Sequence, residues 1–256
     1  MEIPNTAGRA VMPFGSHPFS FAICHPRLDI SFTEKQGLVH YHRRVGRQTF
    51  EADLATSNPE FRLTPIPPML RPAPVTDFLQ IRFNEINLEP ASTTAIYLTA
   101  PLEVAVTLGS KLGSEKRLDT LGFAVPKFAL YGTATRGILT RFVRSEVGTE
   151  PRPVKNYREF LLRVLIENTT QDWVSLGRII LYMNNLVFFY DETQVSSSAK
   201  VTILKEKLAT VLCTDTPTED GMTRVEPSIP KRKFGEFCNV KKVMDEEAVI
   251  MDMGLI

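Results

Sequence analysis

The chain has 256 residues, 43% of them hydrophobic and 23% charged, enough apolar material for one large β domain or two small ones. With 30 basic and 29 acidic residues the net charge is +1, so composition makes no general electrostatic case for nucleic acid or an anionic membrane. No apolar run approaches the roughly 20 residues of a spanning helix, and the N-terminal residues lack the charged-then-apolar order of a secretory signal.

Cys24, Cys213 and Cys238 are scattered and odd in number, which fits a reducing, cytoplasmic setting better than a disulfide framework. Sixteen Phe and 18 Pro favour short strands punctuated by turns over helices.

Residues 1–20 hold Pro4, Gly8, Pro13, Gly15 and Pro18 and read as an irregular arm. Leu28, Ile30 and Phe32 alternate with polar residues, Lys35-Gln36-Gly37 turns, and Leu38 to Val45 returns, so 28–45 is predicted as a hairpin. Residues 56–76 carry six prolines, each of which removes a ladder donor. This stretch is expected to be an extended crossover between two sub-sheets of one domain, because residues 21–55 are too few for a core of their own.

From Phe78 the rhythm is that of a sandwich or barrel. A strand at 78–83 is followed by strands separated by Pro90-Ala91-Ser92 and Pro101. The polar, Gly-rich 109–120 reads as a surface loop. At mid-chain the apolar run Phe128 to Tyr131 stops at Gly132, and Gly137 opens a second run, Ile138 to Val143, giving a Gly-bounded hairpin. Phe160, Leu162, Val164 and Ile166 form the inner face of a further strand, and strands are expected around 173–181, 186–190, 200–204 and 208–213. After Asp215 the chain turns polar, so 215–256 is expected to be a C-terminal extension whose last segment fits helix or strand equally.

The expected class is therefore mainly β, an antiparallel β-sandwich of immunoglobulin-like or jelly-roll-like type with few or no helices, its body spanning 21–214.

The chemistry-bearing candidates are few. His40 and His42 flank Tyr41 on a strand and share one face, as metal ligands of some β-barrels do. No third ligand follows at a recognisable spacing, and Arg43, Arg44 and Arg47 oppose a cation. Cys24 and His25 are adjacent and so point to opposite faces of a strand, which rules them out as a nucleophile–base pair there. No GxSxG, GxxxxGK[ST], GxGxxG or HExxH occurs. Lys231-Arg232-Lys233 sits in a tail with nine acidic residues and six basic ones, which reads as a solvated linker. The central hairpin is basic through Lys127, Arg136, Arg141 and Arg144. Lys127, Tyr131, Arg136 and Arg141 are the candidate anion-binding face.

The run Lys127 to Gly132 (KFALYG), with Gly137-Ile138 and Arg141-Phe142 after it, resembles an uncharacterised domain-of-unknown-function family of archaea and bacteria. Pro101 with Glu103 and Val104, and Glu167-Asn168-Thr169, share that likeness, which covers roughly residues 78–215 and leaves the His pair and the tail outside. The resemblance implies a stand-alone prokaryotic β protein and carries no activity, cofactor or catalytic residue. The expected function is a non-enzymatic binding or assembly module needing no cofactor, with a metal-dependent β-barrel enzyme using His40 and His42 as the alternative. A second copy or another protein both fit as partner.

Overall fold

The computed structural model describes residues 13–25, 27–57, 60–109, 113–154, 157–225, 244–245 and 248–253. In chain order the first strands are β1 (Gly15–Pro18), β2 (Ile23–His25), β3 (Leu28–Lys35), β4 (Leu38–Val45), β5 (Gln48–Leu54), β6 (Glu60–Ile66) and β7 (Phe78–Leu88). β8 (Ser92–Pro101), β9 (Glu103–Gly109), β10 (Glu115–Gly122), β11 (Lys127–Tyr131), β12 (Ile138–Arg144), β13 (Glu159–Asn168) and β14 (Val174–Tyr182) follow. The last are β15 (Phe189–Tyr190), β16 (Val195–Lys205), β17 (Leu208–Thr214), β18 (Thr223–Arg224), β19 (Met244–Asp245) and β20 (Ala248–Asp252). Among the described residues the single helical element is a 3₁₀ turn, Met183–Asn185.

Among the described residues the strands form four sheets around two apolar cores. The meander β2-β3-β4-β5 and the sheet β1-β6-β9-β10 share one core, in which Ile30, Phe32 and Tyr41 meet Phe61, Leu63, Val104, Val106 and Leu121. The sheet β11-β12-β7-β14 and the large sheet built on β8, β13, β16, β17 and β20 share the other. Pairing is mostly antiparallel. The exceptions are β12 with β7 and β13 with β16, which run parallel.

Local sequence explains most of these elements. Gln36 and Gly37 both take positive φ (53° and 78°), the two-residue turn whose twist matches a hairpin, so β3 and β4 pair over their full lengths. Along β13, Phe160, Leu162, Val164 and Ile166 are fully buried, each contributing about 1.5–3 kcal/mol. β13 lies between β8 and β16, and Leu161 on its other face is buried as well.

Four segments depart from the sequence expectation. Gly15–Pro18, read as part of an irregular arm, pairs with β6. β6 itself lies within the Pro-rich 56–76. Its Pro65 falls beyond the last β1 partner, Leu63, where one side of β6 is open and a missing donor costs little. The 109–120 stretch, read as a loop, holds most of β10, whose alternation is broken by a register shift between Arg117 and Asp119. That bulge sets Asp119 opposite the core-facing Val106, where it accepts from Tyr41 Oη (3.1 Å) and Arg43 Nε (2.9 Å) and ties the two sheets together. Finally, Ala248–Asp252 is a strand that pairs with β17, and Thr223–Arg224 pairs with β15, so parts of the C-terminal extension complete the large sheet.

Residues 21–55 supply one half of a core whose other half comes from β6, β9 and β10.

Candidate functional site

The central hairpin is built as its glycines suggested. Tyr131 pairs with Ile138, and Gly132 takes φ +108°, a conformation that L side chains resist. Gly137 is required for space instead. A Cβ there would lie 2.6 Å from Thr133 O and 2.9 Å from Tyr131 O. Thr133 O closes the loop by accepting from Gly137 N (2.6 Å) and Arg136 N (3.2 Å).

Cross-strand register separates the four candidate residues. Lys127 stands opposite Phe142 and Tyr131 opposite Ile138, whereas Arg141 stands opposite Phe128. Lys127 and Tyr131 therefore share one face of the hairpin, and Arg141 lies on the other. Tyr131 is buried. Its hydroxyl accepts from Asp252 N (2.8 Å), donates to Asp252 O (3.3 Å), and holds β20 against the hairpin. Burial pushes its pKa up. Arg136 is exposed in the loop. Arg141 is buried, its guanidinium 3.4 Å from Glu103 and donating to Leu70 O. Burial pushes the Glu103 carboxyl up to about 7, against the opposing pull of Leu70 N and Arg141.

A second arrangement brings other cations together. In the parallel pairing of β12 with β7, Arg144 stands opposite Arg82, and across the next strand Arg82 stands opposite Arg178. Three arginines thus form a row across β12, β7 and β14, on the face that also carries Lys127 and Phe142. The Arg82 guanidinium lies over the Phe142 ring (5.8 Å), and that of Arg178 over the Tyr131 ring (5.6 Å). Arg178 also donates to Met253 O, and burial pulls its pKa down.

At the Arg144 end of the row opens a cleft of about 420 Å³. It lies between the end of β8 (Thr99 to Pro101), residues 124–127, β12 and the start of β13. Its charged lining is Lys127, Arg141, Arg144, Arg158 and one acid, Glu159. Lys127 and Arg144 are exposed and Arg158 is half-buried. Among the described residues, no carboxylate lies within ion-pair distance of Arg82, Lys127, Arg144 or Arg158. Like charges set side by side on a sheet repel, and an anion between them relieves the repulsion.

Sequence reasoning named Lys127, Arg141 and Arg144 in this region and missed Arg82, Arg158 and Arg178. Arg82 shares the period-two face of Phe78 and Gln80, but its neighbour across the sheet is fixed by a parallel register that no local pattern announces.

His40 and His42 do share one face of β4. His40 Nδ1 is 2.8 Å from Asp53 Oδ1 and Nε2 is 4.0 Å from Glu51 Oε2, so β5 supplies carboxylates that the sequence reading did not connect. Among the described residues no group of three or more His, Cys, Asp or Glu side chains is arranged to hold a metal ion. His40 hydrogen-bonds Asp53 across β4 and β5, and His42 stands opposite Glu51. Lys231-Arg232-Lys233 and Cys238 lie outside the described residues.

Fold and site together define a mainly β, two-core protein with a basic cleft beside its central hairpin. The chain belongs to the DUF432 family, described as a protein of unknown function, whose sequence profile matches residues 13–251. The match reaches well beyond 78–215 and takes in His40, His42 and most of β20. No curated protein and no solved structure matches the chain.

Proposed function

We propose that this protein is a non-enzymatic binding module that receives a phosphate- or carboxylate-bearing ligand in the cleft lined by Lys127, Arg144 and Arg158. The observation that carries this reading is the row Arg144–Arg82–Arg178, which leads out of the cleft with no carboxylate paired to its first two members among the described residues. Aligning three like charges across adjacent strands is unfavourable unless something compensates. Two aromatic rings offset part of that cost from one side, and an anion in the cleft would offset more. Arg supplies a planar fork suited to either oxyanion, and Lys127 adds a mobile point charge.

The candidate face of the hairpin is redrawn accordingly. Lys127 remains in it, Arg144 and Arg158 join it, Arg141 lines it from the buried side, and Tyr131 lies apart under Arg178. The free thiols of Cys24 and Cys213 fit a reducing, cytoplasmic setting.

The test is thermal denaturation of the full chain in matched ionic strengths of chloride, phosphate, pyrophosphate and citrate. A ligand that binds the native state raises the melting temperature with its concentration. Pyrophosphate or citrate should raise it above the chloride value in the wild type and leave Arg144→Ala/Arg158→Ala unmoved. Equal shifts in both proteins would show that the cleft is not the site.

A further inference from the structure

Among the described residues β11 ends its sheet, and its outer edge carries no strand. Thr140 Oγ1 donates to Ala129 O (3.1 Å), which turns the Ala129 carbonyl toward β12. Backbone groups alternate along a strand, so Phe128 and Leu130 direct their N–H and C=O to the open edge. Their side chains are also uncovered, Phe128 at 37% and Leu130 at 41% exposure, and Leu139, opposite Leu130, extends the patch at 37%. A strand edge that leaves both backbone donors and apolar side chains open is a template for another strand.

We propose that β11 pairs antiparallel with β11 of a second copy, about a two-fold axis through Ala129, joining two four-stranded sheets into one of eight. The occupant is read from the strand itself. With Ala129 on the axis, Phe128 faces Leu130 of the second copy and Leu130 faces its Phe128, two apolar cross-strand pairs related by symmetry. Lys127 falls opposite Tyr131 rather than opposite itself, so no like charges meet. The residue at the axis is small, and Pro126 and Gly132 bound the pairing to the five residues of β11. A second hairpin edge, β5, lacks this self-complementarity. Pairing it with itself over its seven residues would set Glu51 against Glu51.

Sedimentation of the full chain over a concentration series tests the proposal. The wild type should form a dimer. Phe128→Lys/Leu130→Lys places lysines opposite one another and should sediment as a monomer. Phe128→Glu/Leu130→Lys sets each new carboxylate against a new ammonium of the other copy, so it should regain the dimer and lose it in high salt.

Ala129→Cys in a Cys24→Ser/Cys238→Ser background should cross-link into a covalent dimer under mild oxidation, because residues facing across a non-hydrogen-bonded antiparallel pair lie within disulfide reach. This variant decides the matter alone if the lysine variant fails to fold. A wild type that stays monomeric at every concentration would overturn the proposal. So would a dimer that survives the double lysine substitution and gives no cross-link at position 129.

Discussion

The guanidinium of Arg141 on β12 lies 3.4 Å from the carboxylate of Glu103 on β9, with both side chains almost wholly buried. The pair joins the sheet of the central hairpin to a sheet of the other core, and the backbone of Leu70 completes it by donating to Glu103 (2.9 Å) and accepting from Arg141. Burial dominates, lifting the Glu103 carboxyl from 4.5 to about 7.

The folded state therefore holds this proton more tightly than the unfolded chain. The resulting stability is fully present below pH 4.5 and is lost as pH rises through about 7. Urea unfolding at a series of pH values should show Glu103→Gln losing that decline relative to wild type. Arg141→Ala, which leaves a buried carboxylate alone, should cost about 3–5 kcal/mol at pH 8 and less at pH 5. Parallel wild-type and Gln curves would show that Glu103 does not titrate in this range.

Asn168 ties two turns together. Its side-chain amide donates to Glu89 O (2.9 Å) and Asp172 O (3.0 Å), while Oδ1 accepts from Thr170 N and Oγ1. Asn168→Ala should cost about 1–3 kcal/mol for each buried group left unpaired. Asn168→Asp should be at least as damaging at neutral pH, because a carboxylate faces the same carbonyls. Chemical denaturation distinguishes these outcomes from a solvent-exposed Asn, whose loss would change little.

The β3–β4 turn offers a stabilising change. Gln36 pays a left-handed φ of 53° that Asn tolerates better. Gln36→Asn should gain a few tenths to about 1 kcal/mol, and Gly37→Ala, with φ 78° and no neighbour within 4 Å, should lose about 1 kcal/mol or more through backbone strain alone. Melting temperatures that move in the opposite order would contradict the turn geometry.

In the central loop, Gly132→Val should cost about 1–3 kcal/mol through its positive φ. Gly137→Val should cost as much for a different reason, the collision of its Cβ with Thr133 O and Tyr131 O. Two unchanged melting temperatures would contradict both.

What was legible follows from how far each signal reaches along the chain. Turn chemistry at Gln36-Gly37 and Gly132, and the period-two runs of β3 and β13, are local and were readable. The core-facing alternation Phe160, Leu162, Val164, Ile166 became four fully buried side chains. β10 escaped because its bulge breaks the period, and β5 because its residues lie largely exposed at a sheet edge. The second core escaped because its halves come from separate parts of the chain. The basic site was half legible. The hairpin's charge was plain, but which cations gather depends on the parallel register of β12 and β7 and on the approach of Arg158, neither of which leaves a local trace.

The most direct test of the anion-binding account is calorimetric titration of pyrophosphate into the full chain and into Arg144→Glu/Arg158→Glu. The account predicts saturable binding at one site per chain, weakened by added salt. It also predicts a loss of at least about tenfold, 1.4 kcal/mol, in the charge-reversed protein, which should melt no lower than the wild type because a carboxylate at position 144 faces Arg82. Equal affinity in the two proteins, or no heat with the wild type at low salt, would contradict it.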